Sequence, residues 1–70
     1  MAQLASLIEA ILYLKGRPLS IGRLAEYAGQ DRELVEEGLL ELMNDYAHRD
    51  GALELDETKE GYCLLLNTGF

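Results

Sequence analysis

The sequence predicts a mainly helical fold in which three helices precede a small β-hairpin. Three observations carry this prediction. Apolar residues recur at helical spacing in three segments, and residues that begin or end helices stand between those segments. The C-terminal third alternates apolar and polar side chains around a short loop that contains glycine. The predicted order is therefore helix, short extended segment, helix, helix and hairpin.

The first predicted helix spans residues 2–15. Lys15 gives it a basic last turn, Gly16 takes the position after the helix, and Pro18 prevents its continuation. Its apolar positions cover about half of the helix circumference, which is wider than the face of an ordinary surface helix. We therefore expect cover on more than one side. The apolar positions are Leu4, Leu7, Ile8, Ile11, Leu12 and Leu14, and the polar stripe is Ser6, Glu9 and Tyr13.

The second predicted helix follows the short extended segment Pro18-Leu19. Ser20 is a candidate N-cap, because its hydroxyl can accept a hydrogen bond from a free amide of the first turn. The helix runs over Ile21–Ala28, and Gly29 ends it. The second helix is therefore expected to be short and to stand directly before a longer one.

The third predicted helix covers residues 32–48, with Asp31 as candidate N-cap and Glu33 suited to the positive helix start. Gly38 lies inside it at a cost of about 1 kcal/mol relative to alanine. This glycine indicates either a close approach of another backbone or simple tolerance. The predicted apolar face is Val35, Leu39, Leu42, Met43 and Tyr46, with Leu40 and Ala47 at the margin.

A β-hairpin is predicted for the C-terminal end. Asp50-Gly51 is a turn signal, and Leu53 and Leu55 alternate with acidic residues. A loop over residues 58–61 leads to a second strand over residues 62–66. Three helices followed by a hairpin are the element order of a winged helix-turn-helix, three helices plus a wing.

The centre of the chain supports a helix-turn-helix. Ala25 lets two helices approach closely, Gly29 permits the positive φ of the sharp turn, and Val35 packs the third helix back on the second. An unrelated helical hairpin is the alternative interpretation.

Composition and charge narrow the classes of function. The chain has 70 residues, 49% of them hydrophobic and 27% charged, so it is at most one small globular domain. All but two of the 13 acidic residues follow residue 30, and the net charge is −7. Nucleic-acid binders need basic surface, so this balance disfavours sequence-specific DNA binding. No apolar run is long enough to cross a membrane, and a lone cysteine is typical of a reducing compartment.

Residues 8–20, IEAILYLKGRPLS, resemble the opening "IEALLF-x-x-G-x-PLS" of the segregation and condensation protein B family. The resemblance covers nearly the whole chain. It continues through Leu24-Ala25-Glu26, Gly29, Val35-Glu36-Glu37, Leu39-Leu40-Glu41-Leu42, Tyr46, Leu53-Glu54-Leu55 and Gly61-Tyr62.

This resemblance implies a non-catalytic accessory subunit of the bacterial SMC condensin complex, active in chromosome condensation and segregation and hence in the cell cycle and cell division. It implies homodimers that bind the kleisin subunit bridging the SMC ATPase heads, in the cytoplasm and at the nucleoid. Because the family usually has two winged helices, residues 1–70 are expected to be the first of two domains. A winged-helix transcription regulator that binds DNA is the alternative.

Two surfaces are candidates for protein contacts. Three helices and a hairpin can cover only one side of the first helix, so a residual apolar strip is expected at a dimer interface. Its candidate residues are Leu4, Leu7, Ile11 and Leu14. On the third helix, Glu37, Glu41 and Asp45 recur at i, i+4 and i+8 and predict one acidic face, which is either solvated or meets a basic partner.

No catalytic group, cofactor site or metal site is predicted. His48 stands at a helix end, where the helix dipole favours it, and no motif places a nucleophile beside it. Cys63 within a strand is expected to be a small buried apolar residue. We therefore expect a protein without enzymatic activity.

Overall fold

The computed structural model describes residues 3–48 and 51–66. Three helices, α1 (Gln3–Lys15), α2 (Ile21–Ala28) and α3 (Arg32–Ala47), are followed by two strands, β1 (Leu53–Thr58) and β2 (Gly61–Leu66). The strands form an antiparallel hairpin, with Leu55 opposite Leu64. This is the layout of a winged helix, so the predicted fold is confirmed.

The predicted bounds of α2 are confirmed, and the caps form at both of its ends. The Ser20 hydroxyl accepts a hydrogen bond from the Arg23 amide at 3.2 Å, and Gly29 adopts a left-handed conformation with φ of 67°. Asp31 takes the N-cap position of α3, but its side chain makes no capping hydrogen bond. The third helix ends one residue earlier than predicted, because His48 is its C-cap.

The hairpin is tighter than the sequence predicts. Thr58 and Gly61, expected in the loop, pair with each other at the ends of the two strands, so only Lys59 and Glu60 form the turn. The Thr58 hydroxyl donates to the Gly61 carbonyl at 2.9 Å and accepts from the Glu60 amide at 3.2 Å. The side chain of Thr58 thus holds the turn closed.

The extended segment between α1 and α2 attaches the hairpin to the helices. Leu19 and Tyr62 exchange both backbone hydrogen bonds, each 2.8 Å long, in an isolated antiparallel bridge. The Leu19 side chain is itself buried in the core. This bridge sets where β2 lies against the helices.

The core lies where the three helices meet, with α1 and α2 both packed on α3. No polar or charged residue of the described chain is buried. The predicted apolar face of α3 is largely confirmed, whereas the marginal Leu40 and Ala47 are exposed. The core residues are Ala5, Ile8, Leu12, Leu19, Leu24, Val35, Leu39 and Leu42.

Gly38 is where α1 approaches α3. A Cβ atom there would lie 2.9 Å from Ile8 Cδ1 and 3.2 Å from Leu4 Cγ. The close approach is therefore real, but it comes from side chains of α1 and not from another backbone. These contacts bring the start of α1 close to the middle of α3.

Glu9 departs from the predicted polar stripe of α1. It is half-buried, and the Tyr46 hydroxyl donates a hydrogen bond to its Oε2 across the α1–α3 contact. The solvent-exposed side of α1 instead includes two leucines of the predicted apolar set.

Candidate functional site

An apolar strip runs along the exposed side of α1. Leu7, Ile11 and Leu14 stand at i, i+4 and i+7 on one helix face, which we call the α1 strip. Leu7 is 43% exposed and Leu14 is 79% exposed, while Ile11 is half-buried. Leu4, the fourth residue predicted for this surface, is half-buried and packs on the core near Gly38. The described chain thus leaves the α1 strip largely uncovered.

Each end of the α1 strip has polar or aromatic neighbours. At its start, Gln3, Leu4, Leu7 and Gln30 surround an open depression of about 360 Å³. At its end, the Lys15 ammonium lies 4.4 Å from the centre of the Tyr27 ring, a cation–π contact between α1 and α2. An apolar centre with a polar rim is typical of a protein-binding surface.

The predicted acidic face of α3 is exposed along its length. Glu37, Glu41 and Asp45 all face solvent, and among the described residues none of them forms an ion pair. Like charges at i, i+4 destabilise a helix by about 0.2–0.5 kcal/mol per pair. We call these three residues the acidic stripe.

The surfaces through which a winged helix would reach DNA carry little positive charge. At the start of α3, Arg32 is accompanied by Glu33 and Glu36, and all three are exposed. The turn of the hairpin consists of one basic residue, Lys59, and one acidic residue, Glu60. Phosphate binding depends on clustered lysine and arginine, which neither surface offers.

Sequence reasoning missed a groove between α3, the start of α2 and the wing. It has a volume of about 180 Å³, and we call it the α3 groove. Leu40, on its α3 side, is 65% exposed. The lining residues come from three separate parts of the chain, so no local pattern predicts them. They are Ile21, Glu36, Leu39, Leu40, Met43 and Tyr62.

Tyr62 carries a polar group at the edge of the α3 groove. Its hydroxyl donates to Glu57 Oε2 at 3.3 Å. Burial raises the pKa of the Tyr62 phenol, and the nearby charges of Glu57 and Glu36 raise it further. The phenol therefore keeps the proton that it donates to Glu57.

The two residues with potential for catalysis take structural positions. His48 Nδ1 lies 2.8 Å from the Asn44 carbonyl at the end of α3, as expected of a helix-end histidine. Cys63 is buried, as predicted, and burial followed by the charge of Asp56 raises the pKa of its thiol. Residues 3–48 and 51–66 contain no group of three or more His, Cys, Asp or Glu that could hold a metal ion. None of the described helices has the length and apolar character to span a membrane.

The chain matches the model of a known protein family. The model of the family "Segregation and condensation complex subunit ScpB" matches residues 6–70. The chain belongs to this family. Searches of curated proteins and of solved structures found no match.

ScpB membership confirms the resemblance drawn from residues 8–20 and the residues that follow them. It associates the chain with the SMC complex and with chromosome segregation and condensation. The alternative of a transcription regulator is not favoured. The matched region contains the α1 strip, the acidic stripe and the α3 groove.

Proposed function

We propose that this domain is a non-catalytic protein-binding module of the SMC complex. In this proposal it forms a homodimer through the α1 strip and binds the kleisin subunit that bridges the SMC ATPase heads. It acts in the cytoplasm at the nucleoid, as the first of two winged helices. The observation that supports this proposal is the α1 strip, an exposed apolar face on a member of a family of complex subunits.

Two physical arguments favour a dimer. A contiguous exposed apolar face on a small domain commonly marks a protein interface. In addition, the small core of a 70-residue chain leaves a thin stability margin, which burial of the strip in a dimer would increase. A twofold dimer is the commonest way for one such face to cover itself.

The acidic stripe has a separate role in the proposal. Glu37, Glu41 and Asp45 form an exposed negative surface without described counter-ions. We propose that it attracts basic residues of the kleisin, because complementary charges speed association. The same surface repels DNA phosphates, so the proposal includes no sequence-specific DNA binding.

Sedimentation equilibrium tests the dimer. The chain at about 100 μM, well above micromolar dissociation constants, should sediment as a dimer. Leu7→Glu and Leu14→Glu should give monomers. The matched control is Tyr13→Glu, which also places a charge on the exposed surface of α1, at an aromatic residue that is 68% exposed but lies outside the strip. A monomer for the unchanged chain contradicts the dimer and favours cover of the strip by a second domain.

Co-purification with the kleisin tests the second half of the proposal. The chain should retain the kleisin. Because Leu14→Glu should be a monomer, this variant shows whether kleisin binding requires the dimer. Fluorescence polarisation with duplex DNA should show no sequence preference. A sequence-dependent affinity below micromolar at physiological salt contradicts the proposal and supports the regulator.

A further inference from the structure

The α3 groove has the size of a side-chain pocket. Its volume of about 180 Å³ lies below the roughly 300–1,000 Å³ of typical small-molecule sites. Its floor and walls are apolar at Ile21, Leu39, Leu40 and Met43. Methionine adapts its shape to a partner more readily than branched side chains do. The groove therefore fits one or two apolar side chains of a polypeptide.

The charged residues at the groove determine which charge its occupant should carry. Glu36 lines it, and Glu57 reaches it through the hydroxyl of Tyr62. In the described part of the chain neither carboxylate forms an ion pair. The guanidinium carbon of Arg32, one turn earlier on α3, lies about 4.0 Å from where a Cβ of Gly22 would be, at the start of α2, and forms no ion pair with Glu36. Two carboxylates without counter-ions beside an apolar pocket complement a cation.

A second copy of the chain is a poor occupant of this groove. The chain carries a net charge of −7, and its exposed α3 surface is acidic at Glu37, Glu41 and Asp45. Nucleic acid is excluded by the same charge.

We propose that the α3 groove holds a segment of a partner protein in which a leucine-sized apolar side chain stands within one turn of a lysine or arginine. The apolar side chain enters between Leu40, Met43 and Ile21. The cation pairs with Glu36 and with Glu57, whose carboxylate also accepts the hydrogen bond from the Tyr62 hydroxyl. This inference rests on the proposed function, because it assigns the kleisin contact to one place on the domain.

The probe is a set of overlapping synthetic peptides, about 20 residues long, that covers the kleisin of the organism from which this chain comes. Calorimetry identifies the binding peptide, and amide chemical shifts of the ¹⁵N-labelled chain locate it. We expect the largest shifts at Ile21, Leu40, Met43 and Tyr62. We also expect the binding peptide to contain the predicted apolar–basic pair.

Matched variants test the groove. Leu40→Glu should weaken peptide binding by about tenfold or more, because it places a charge at the apolar centre. Leu34→Glu is the control, since Leu34 is 42% exposed on the same helix but does not line the groove. Glu36→Gln should weaken binding and reduce its salt dependence, whereas Glu33→Gln should change neither.

The outcomes separate this inference from the proposed function. Unchanged peptide affinity in Leu40→Glu and Glu36→Gln overturns the groove and leaves kleisin binding intact. Shifts confined to the α1 strip or the acidic stripe overturn it as well. If no peptide binds while the whole kleisin co-purifies with the chain, the groove assignment alone fails; if neither binds, the kleisin part of the proposed function fails with it. Thermal melts of each variant verify that a loss of binding is not a loss of folding.

Discussion

Replacing Gly61 with alanine should destabilise the domain more than the same change at Gly29 or Gly51. Gly61 has φ of 137°, and a Cβ there would lie 2.2 Å from the carbonyl carbon of Leu19 and 2.6 Å from the amide nitrogen of Ser20. These are backbone atoms, so they cannot turn aside as a side chain would. The change therefore strains φ at residue 61 and forces apart the bridge between Leu19 and Tyr62.

The size of the effect follows from the strain at residue 61 and the loss of the bridge. An unfavourable φ costs about 1–3 kcal/mol. Loss of the two bridge hydrogen bonds costs about 0.5–1.5 kcal/mol each, so Gly61→Ala should lower the free energy of unfolding by about 2–6 kcal/mol. A domain of 70 residues has roughly 4–10 kcal/mol in total. The expected loss is therefore a large fraction of the total stability of the domain.

Urea unfolding followed by circular dichroism measures this loss, with all variants at one protein concentration. Two control variants divide the effect into its parts. Gly29→Ala has the positive φ of 67° but no atom within 4 Å of the new Cβ, so it should lose only about 1–2 kcal/mol. Gly51→Ala has neither feature and should stay within about 0.5 kcal/mol of the unchanged chain.

Hydrogen exchange at the amides of Leu19 and Tyr62 reports the bridge directly. Both amides should exchange faster in Gly61→Ala than in Gly29→Ala when compared at equal global stability. A Gly61→Ala variant as stable as Gly29→Ala would refute the reasoning, because the contact with the Leu19 backbone would then contribute nothing.

Three further predictions can be checked with the same unfolding experiment. Ser20→Ala removes a formed cap and should cost about 0.5–2 kcal/mol, whereas Asp31→Ala should cost little because that side chain makes no capping bond. Ile8→Ala should cost about 2–5 kcal/mol, since Ile8 has 0% exposure at the centre of the core; a smaller loss would mean that the cavity collapses. Stability should fall as the pH rises above the ordinary thiol pKa, because the raised pKa of Cys63 lets the unfolded chain lose its proton first. Cys63→Ala should reduce the fall of stability with rising pH. An unchanged fall would contradict its assignment to Cys63.

The helices could be predicted from the sequence because their signals are local. Ser20 and Gly29 fix the ends of α2 within a few residues of chain, and the spacing of Val35, Leu39 and Leu42 fixes the buried face of α3. The same locality explains the partial success on α1. Helical periodicity identifies its apolar positions, and the exposed Leu7 and Leu14 agree with the expected residual strip.

The remaining features depend on residues that are distant in sequence. The hydrogen bond from Tyr46 to Glu9 joins residues 37 apart, so periodicity alone places Glu9 on a solvent stripe. The α3 groove likewise exists only after Ile21, Leu40 and Tyr62 come together. Neither the hydrogen bond nor the groove produces a recognisable sequence pattern within one helix or strand. Gly38 could be predicted only in part. A glycine inside a helix indicates a close approach, but the sequence does not show which side chains approach it.

The bridge between Leu19 and Tyr62 also determines when the domain can mature during its synthesis on the ribosome. The two residues are separated by more than half of the chain, and both backbone hydrogen bonds need the nascent chain to have emerged as far as β2. Until then the three helices can pack on one another, but the buried Leu19 has no strand beside it. Because closing so long a loop is slow relative to local helix formation, the wing should dock last. The surface of the α3 groove that includes Tyr62 is therefore completed only after β2 has emerged, so a partner that needs the whole groove cannot bind a nascent chain shorter than that.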